Sequence, residues 1–329
     1  MAVQFPSLSQ NALLWGTTVI VATYAIYWLK QRKSHSVPTK WKKVGEVSEL
    51  IMYPLKSGRG EQLKEADCTE LGLKTTEDSP NEIRHLRDRT FIIYNPEAGT
   101  FITCRQFTSL LLVRITSAGE NAVTFTAPGM TPLKLKLPEP NSKINKFSMW
   151  FGEELKALDC GDEAANWICK YLKKEGDPMR VGFHKPEIYD TRRNTDKPPW
   201  IKFKKYYKRL RSDYTGAFAD LASYMLLSES SLNDLKTRLP EHLQNIPAQQ
   251  FRPNIVVRGS NPYEEDKWDW IKFGDSIVMQ GFKPCTRFRQ VTDPGAKELE
   301  GDAPVMGLYM GLHTTGRLKV GDPVYIGLS

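Results

Sequence analysis

The chain has 329 residues and a formal net charge of +8, with 40% apolar and 26% charged residues. That length holds two medium domains with sizeable cores, and the composition is ordinary for a globular protein. Five cysteines without regular spacing make no disulfide framework and point to a reducing compartment. The five histidines (His35, His85, His184, His242, His313) include no HxxxH or HxH pair, which argues against zinc.

In chain order, the first feature is Ala12 to Leu29, ALLWGTTVIVATYAIYWL, eighteen residues without a charge. This is the lower limit for one bilayer-crossing helix. Trp15, Tyr24, Tyr27 and Trp28 suit the interfaces, and Lys30, Arg32 and Lys33 follow at once, whereas residues 1 to 11 carry no charge. That order predicts an uncleaved anchor with the bulk of the chain cytosolic, since a cleaved signal places its basic residues first. Residues 34–43 form a polar, basic tether.

Val44 to Ile51 alternates at period two. Phe91 to Tyr94 and Leu110 to Ile115 read as buried strands, and Ala122 to Phe125 and Leu133 to Leu137 as further strands, with Asn95 to Gly99 as a hairpin turn. Many short strands with polar turns favour a β-barrel or sandwich. Ala164, Trp167, Ile168, Tyr171 and Leu172 recur at helical spacing behind Asp162 and Glu163, an amphipathic helix whose apolar face belongs to the core.

The second half opens with a basic stretch. Between Arg180 and Arg211 eleven Lys or Arg stand against Glu187, Asp190 and Asp196. It is either a solvated insertion or a dock for something acidic; Lys202, Lys204, Lys205, Lys208, Arg209 and Arg211, interleaved with Trp200, Phe203, Tyr206 and Tyr207, would also suit RNA or an anionic membrane surface. Ser231 and Asp234 resemble a capping box that opens a helix through Leu232, Leu235 and Leu239, stopped by Pro240. Strands resume at Asn254 to Arg258, Asp275 to Gly281 and Asp322 to Ile326. The expected class is α+β, mainly β: two β-barrel-like domains with few helices, residues 44–178 and 179–329, behind one transmembrane helix within residues 1–33.

Cys285 carries the chemical interest. A lone cysteine is ordinarily a small buried hydrophobe, but this one stands between Lys283 and Arg287, a setting that favours the thiolate, the form that binds soft metals. The Pro284-Cys285-Thr286-Arg287 turn, the upstream run from Phe251 to Val257 and the C-terminal Leu318 to Tyr325 resemble the molybdenum cofactor sulfurase C-terminal (MOSC) domain. Met52 to Ser57, Leu86 to Arg89 and Thr103-Cys104-Arg105-Gln106 resemble the N-terminal β-barrel domain that precedes it in the mitochondrial amidoxime reducing components.

The resemblance implies a molybdenum cofactor, a pterin with a dithiolene and a terminal phosphate. Cys285 would be the protein ligand to the metal, and Lys56, Ser57, Arg89, Arg252 and Asn254 would surround the pterin and its phosphate, arginine suiting phosphate through its planar fork. Asp220 falls at the family's active-site aspartate. It further implies reduction of amidoximes, hydroxylamines and N-hydroxylated bases, with cytochrome b5 and its NADH-dependent reductase as donors, at the outer mitochondrial membrane or alternatively the endoplasmic reticulum. No GxGxxG fingerprint suggests that the chain binds NADH or flavin; pyridoxal phosphate and nucleic acid are not expected. Relatives often carry a second cysteine three residues beyond the ligand, where this chain has Phe288. Taken singly, Arg89 could pair with Asp88 or Glu82 on the surface, Lys56 and Ser57 could form a solvated turn after Pro54, and Asn254 could cap a strand edge. Cys68, Cys104, Cys160 and Cys169 read as structural. The alternative function is a sulfur carrier holding a persulfide on Cys285.

Overall fold

Alternation in Trp41–Met52 does more than bury one face. Val47, Leu50 and Met52 enter the main core, while Ile51 and the following Tyr53 enter a second cluster on the other side. The same division runs through Tyr224–Ser228, with Tyr224 and Leu226 on one side and Met225 and Leu227 on the other, and through Ile255–Arg258, where Val256 parts from Ile255 and Val257. Strands covered on both faces are apolar without interruption, which is why the Ile-Val-Val run exists.

The computed structural model describes residues 36–150, 152–185, 198, 200–286 and 305–328, with only the backbone described at Thr286. The apolar segment 12–29, residues 186–197, Arg287 and Phe288 lie outside them. Among the described residues the chain is mainly β, with nineteen strands and three α-helices, and no helix is long and apolar enough to cross a membrane.

One sheet of eight strands runs in the order 255–258, 224–228, 305–314, 277–286, 270–273, 323–327, 41–52 and 61–63, and it closes because 41–52 also pairs with 255–258. The first strand is therefore the clasp: Trp41 to Glu46 faces Gly327 to Pro323 on one side, and Glu46 to Leu50 faces Arg258 to Ile255 on the other. Gly45 sits at the tightest point, where an added Cβ would meet the Arg258 carbonyl oxygen at 2.1 Å. A second, five-stranded barrel comprises 144–148, 154–159, 180–183, 91–95 and 100–102, closed by a parallel pairing of Ser148 with Thr100. Gly316–Lys319 pairs with Glu65–Thr69 outside both barrels.

The five-stranded barrel is pinned by Asp159. Its carboxylate accepts hydrogen bonds from Tyr94 Oη (3.0 Å), Asn145 Nδ2 (2.9 Å), Gly161 N (2.7 Å) and both Nε and Nη2 of Arg180 (2.8 and 2.6 Å). Arg180 in turn reaches Asp162 at the start of the Asp162–Tyr171 helix. That helix buries Ala164, Ile168 and Leu172 of the expected face together with Ala165 and Cys169, while Trp167 and Tyr171 are half-buried. Asn95 Oδ1 accepts the N–H groups of Glu97 and Ala98, each at 2.9 Å, and so shapes the expected hairpin turn.

Two expectations need correction. Leu110 to Ile115 is not one strand: Thr108–Leu112 is a 3₁₀ turn that buries Leu110 and leaves Leu111 and Leu112 exposed, and the strand begins at Arg114. Ser231 does not cap its helix, which spans Glu229–Thr237 behind Ser228. Its hydroxyl donates to buried Glu265 (2.8 Å) and accepts from Tyr263 N (2.7 Å), because the helix packs its first turn against that loop.

Residues 213–329 expressed alone lack the 41–52 clasp and expose two apolar strand edges. The fragment should aggregate or melt without cooperativity in circular dichroism, and fusion of residues 36–63 should restore a cooperative transition. A sharp melt of the fragment by itself would show that the barrel closes without the clasp.

Candidate active site

The clasp strand leaves the larger barrel at Met52 and turns through Tyr53, Pro54 and Leu55 toward the five-stranded one. Lys56 N–H donates to the Phe91 carbonyl at 2.8 Å, so Lys56 and Ser57 lie where the barrels meet. Arg89 stands just ahead of the 91–95 strand, Asp220 ahead of 224–228, and Arg252 and Asn254 ahead of 255–258. These six residues line one cleft with Thr103, Cys104, Arg105, Trp150, Ala219, Ala222, Met225, Phe251 and Tyr309. The structure thus gathers Lys56, Ser57, Arg89, Asp220, Arg252 and Asn254.

Cys285 is not in that lining. It is 1% exposed and belongs to the apolar cluster that includes Met225 and Phe251, two residues of the cleft wall. It sits where the register of Ile277–Thr286 against Val305–Thr314 shifts, between Pro284 and Thr286, and such bulges re-aim a side chain out of the ladder. Lys283 is buried too, its ammonium over the rings of Tyr207 (5.4 Å) and Tyr309 (5.7 Å) and donating to the Pro284 carbonyl (3.1 Å).

The centre of the site is Asp88, which the sequence offered only as a surface partner for Arg89. It is 1% exposed. Asp88 Oδ1 accepts from Tyr53 N (2.8 Å) and Asn254 Nδ2 (3.1 Å), and its other oxygen pairs with Arg89. Arg89 also donates to Asn254 Oδ1 and to the Arg252 carbonyl, each at 3.2 Å. Asn254 spends its remaining capacity on Ile51 O (3.2 Å) and Met225 N (3.3 Å). Its amide is therefore consumed by the protein, and it helps to hold Arg89 in place. Arg252 lies 4.2 Å over the Tyr53 ring and donates through Nη1 to Gly58 O at 2.6 Å, but its buried Nη2 has no acceptor.

Three charges are concentrated here. Burial opposes the charge on Arg89, and Asp88 more than offsets it. Burial is the largest influence on Arg252 and works against its charge; Tyr53 favours the charge, Arg89 opposes it, and the balance draws its pKa down to about 10. Ser57 (φ 66°), Arg89 (φ 49°) and Arg252 (φ 56°) all adopt the left-handed region, which costs a non-glycine residue of order 1 kcal/mol and clusters at functional sites.

Asp220 faces the same cleft from its outer end. Burial works against its ionisation, but the Lys56 ammonium, the Trp150 indole and Arg89 outweigh it and hold the carboxyl far below the usual carboxylate range. Lys56 pairs with it and also donates to Phe218 O at 2.9 Å. Trp150 Nε1 donates to Asp220 Oδ1 at 2.7 Å.

Sequence reasoning placed Asp88 within the Leu86 to Arg89 motif without giving it a role in the site, and it missed Trp150 and the aromatic wall, which carry no local signal. It also placed Cys104 with the structural thiols, whereas the turn after Thr100–Ile102 presents it half-exposed to the cleft. Cys68 and Cys160 are buried, burial pushing the Cys68 thiol up to about 12; Cys169 lies in its helix.

Family models match along the same architecture. Residues 44–175 match the MOSC N-terminal beta barrel domain and residues 213–325 the MOSC domain, so the two barrels define a protein of the MOSC class. The mitochondrial amidoxime reducing component 2 of Rattus norvegicus is 32% identical over 93% of this chain and 89% of its own length. The mitochondrial amidoxime-reducing component 1 of Homo sapiens is 32% identical over 86% and 83%. The chain belongs to the family of the mitochondrial amidoxime reducing components. Among solved structures, the YUAD protein of Bacillus subtilis covers 87% of this chain and 98% of its own at 12% identity, with a TM-score of 0.32, too distant to carry an argument.

Asp220→Asn should lower the melting temperature by a few degrees at pH 7, where the carboxylate pairs with Lys56. The folded pKa is depressed, so this contribution is complete above the unfolded value of about 3.9 and fades as pH falls through the folded one. The gap between variant and wild type should therefore narrow only below about pH 4. A gap independent of pH down to the acid limit would mean that the ion pair contributes no stability.

Proposed function

We propose that this chain is a membrane-anchored, molybdenum-cofactor-dependent reductase of N-hydroxylated compounds. The observation that carries the reading is Arg252 Nη2, a buried donor without an acceptor beside Lys56, Ser57 and Arg89. Leaving such a donor unsatisfied costs about 1–3 kcal/mol, a cost that the phosphate of a dianionic pterin would remove. The names of the relatives support the same reading.

The residues fit this group as follows. Lys56, Ser57, Arg89 and Arg252 would hold the pterin and its phosphate, with Asn254 and Asp88 orienting Arg89, and Gly58 O and the Tyr53 ring orienting Arg252. Cys285, buried in the apolar cluster that includes Met225 and Phe251, would offer the thiolate to the metal. When bound, the cofactor supplies a two-electron reduction that breaks the N–O bond: an amidoxime, two electrons and two protons give an amidine and water.

Asp220, held ionised, is no proton donor at neutral pH. It accepts hydrogen bonds from the N–H groups of an amidoxime, N-hydroxyguanidine or N-hydroxylated base and so sets the orientation of the N–O bond. Its side chain is 40% exposed and Trp150 is 43% exposed, so protons reach the site from solvent at the mouth. A persulfide carrier gains no support from a thiol that is 1% exposed, since it would have to meet a second protein.

Residues 12–29 would anchor the chain in the outer mitochondrial membrane with the barrels in the cytosol. Cytochrome b5, reduced by its NADH-dependent reductase, would dock on the basic stretch. The Trp200–Tyr206 helix buries Trp200 and leaves Lys202, Lys205 and Lys208 exposed. Arg209 and Arg211 are engaged by Asp269 (2.8 Å) and Asp213 (2.6 Å), so the three lysines carry the free charge of that face.

Full-length chain from a cofactor-competent host should contain about one molybdenum and one pterin per monomer, and Cys285→Ser should fold yet lose most N-reduction. A metal-free wild type with labile sulfane sulfur would overturn the reductase reading. Reversing Lys202, Lys205 and Lys208 to Glu should slow reduction by cytochrome b5 and flatten its salt dependence, because attraction acts over about 10 Å at 0.1 M salt. Turnover with a small uncharged reductant should stay unchanged; equal loss with both donors would remove the docking role.

A further inference from the structure

Trp150 is a large aromatic residue, 43% exposed at the mouth of the cleft. It is fixed at two edges. Its indole N–H is bound to Asp220, and the Phe101 ring meets it at 81° with centroids 4.7 Å apart. The third contact is different in kind: the guanidinium of Arg105 lies 4.8 Å from the indole centroid. Arg105 is an exposed residue on the turn after Thr100–Ile102, and this stacking is the contact the structure gives its guanidinium.

A guanidinium is a planar carbon bearing three nitrogens. An amidine, an amidoxime and an N-hydroxyguanidine share that plane and its N–H donors. We propose that the Trp150 indole and the Asp220 carboxylate form a subsite for a planar amidine or guanidine group, and that Arg105 caps this subsite as an internal stand-in that the incoming ligand displaces. The inference deepens the reductase reading and rests on it for the identity of the natural ligand, but the subsite itself stands on the geometry.

The chemistry of the three groups agrees. The indole face attracts a planar cation or a polarised conjugated π-system. Asp220 lies one hydrogen bond from the indole edge, so a ligand stacked on the ring brings its N–H groups within reach of a carboxylate held ionised. Lys56 neutralises that carboxylate from the inner side, so the subsite tolerates neutral amidoximes and singly charged amidines alike. The deeper cations Arg89 and Arg252 exclude a positive group from the inner end. Saturated N-alkylhydroxylamines have no amidine plane and gain nothing from the ring.

The test separates binding from turnover. Benzamidine carries the amidine plane and has no N–O bond to reduce, so its calorimetric titration into the full-length chain reports the subsite whether or not the protein is a reductase. Trp150→Ala should weaken benzamidine about tenfold, a cation–π contribution at a partly desolvated site. Trp150→Phe, which keeps a ring and loses the N–H, should recover part of that loss. Arg105→Ala should tighten binding severalfold, because the stand-in is gone. In turnover, Trp150→Ala should raise KM for benzamidoxime severalfold more than that for N-methylhydroxylamine. Benzamidine binding indifferent to Trp150→Ala, or weakened by Arg105→Ala, would overturn the subsite. Failure of the reductase reading looks different: wild type would reduce neither compound, while the benzamidine titrations keep their order.

Discussion

Every feature of the cleft depends on the double pairing of Trp41–Met52. Its early residues face 323–327 and its later ones 255–258, so a strand from the beginning of the described chain closes a barrel built otherwise from its end. Because Ile51 N–H is bound to Asn254 O at 2.9 Å, the exit of that strand is fixed relative to the entry of 255–258. Tyr53, Lys56 and Ser57 on one side and Arg252 and Asn254 on the other then have no freedom to separate. The cleft is the consequence of this crossing, and its cations converge because two chain segments about 200 residues apart share one hydrogen-bond ladder.

Burying several cations together is unfavourable unless each is answered. Here the answers are unequal. Arg89 has Asp88, Lys56 has Asp220, and Arg252 has a carbonyl, an aromatic ring and one donor left over. The surplus is therefore localised on one guanidinium, and the left-handed backbone at Ser57, Arg89 and Arg252 adds strain in the same place. Stability is lost there in a way that an anionic ligand recovers, which is the pattern of a site shaped for binding and not for the fold alone. The outer end has the opposite character, with a carboxylate and aromatic rings, so the cleft is polarised along its length.

Much of this was legible in the sequence, and the rest was not for definable reasons. Strand and helix signals that depend on periodicity were readable: the alternation from Val44 to Ile51, the helical face of Ala164, Trp167 and Ile168, the Asn95 to Gly99 turn. Leu110 to Ile115 misled because a continuous apolar run has the same composition whether it is a strand or a tight turn with one buried leucine. Ser231 misled because the spacing to Asp234 is satisfied by a hydroxyl inside the helix as well as by one at its start. The choice was made by Glu265, a residue 34 positions away.

The sequence by itself determined the family, the mainly β class and the residue types able to hold an anion, because those follow from local pattern and motif. The tertiary structure decided what each of those residues does. Asp88 became the buried hub, and Asn254 proved to be fully bonded within the protein. Cys285 is buried in an apolar cluster that includes two residues of the cleft wall, Cys104 faces the cleft, and Trp150 joins Asp220 across 70 residues. None of these could be read locally. Burial and hydrogen-bond partnership are set by residues distant in sequence, and only the closure of the two barrels fixes which of them meet.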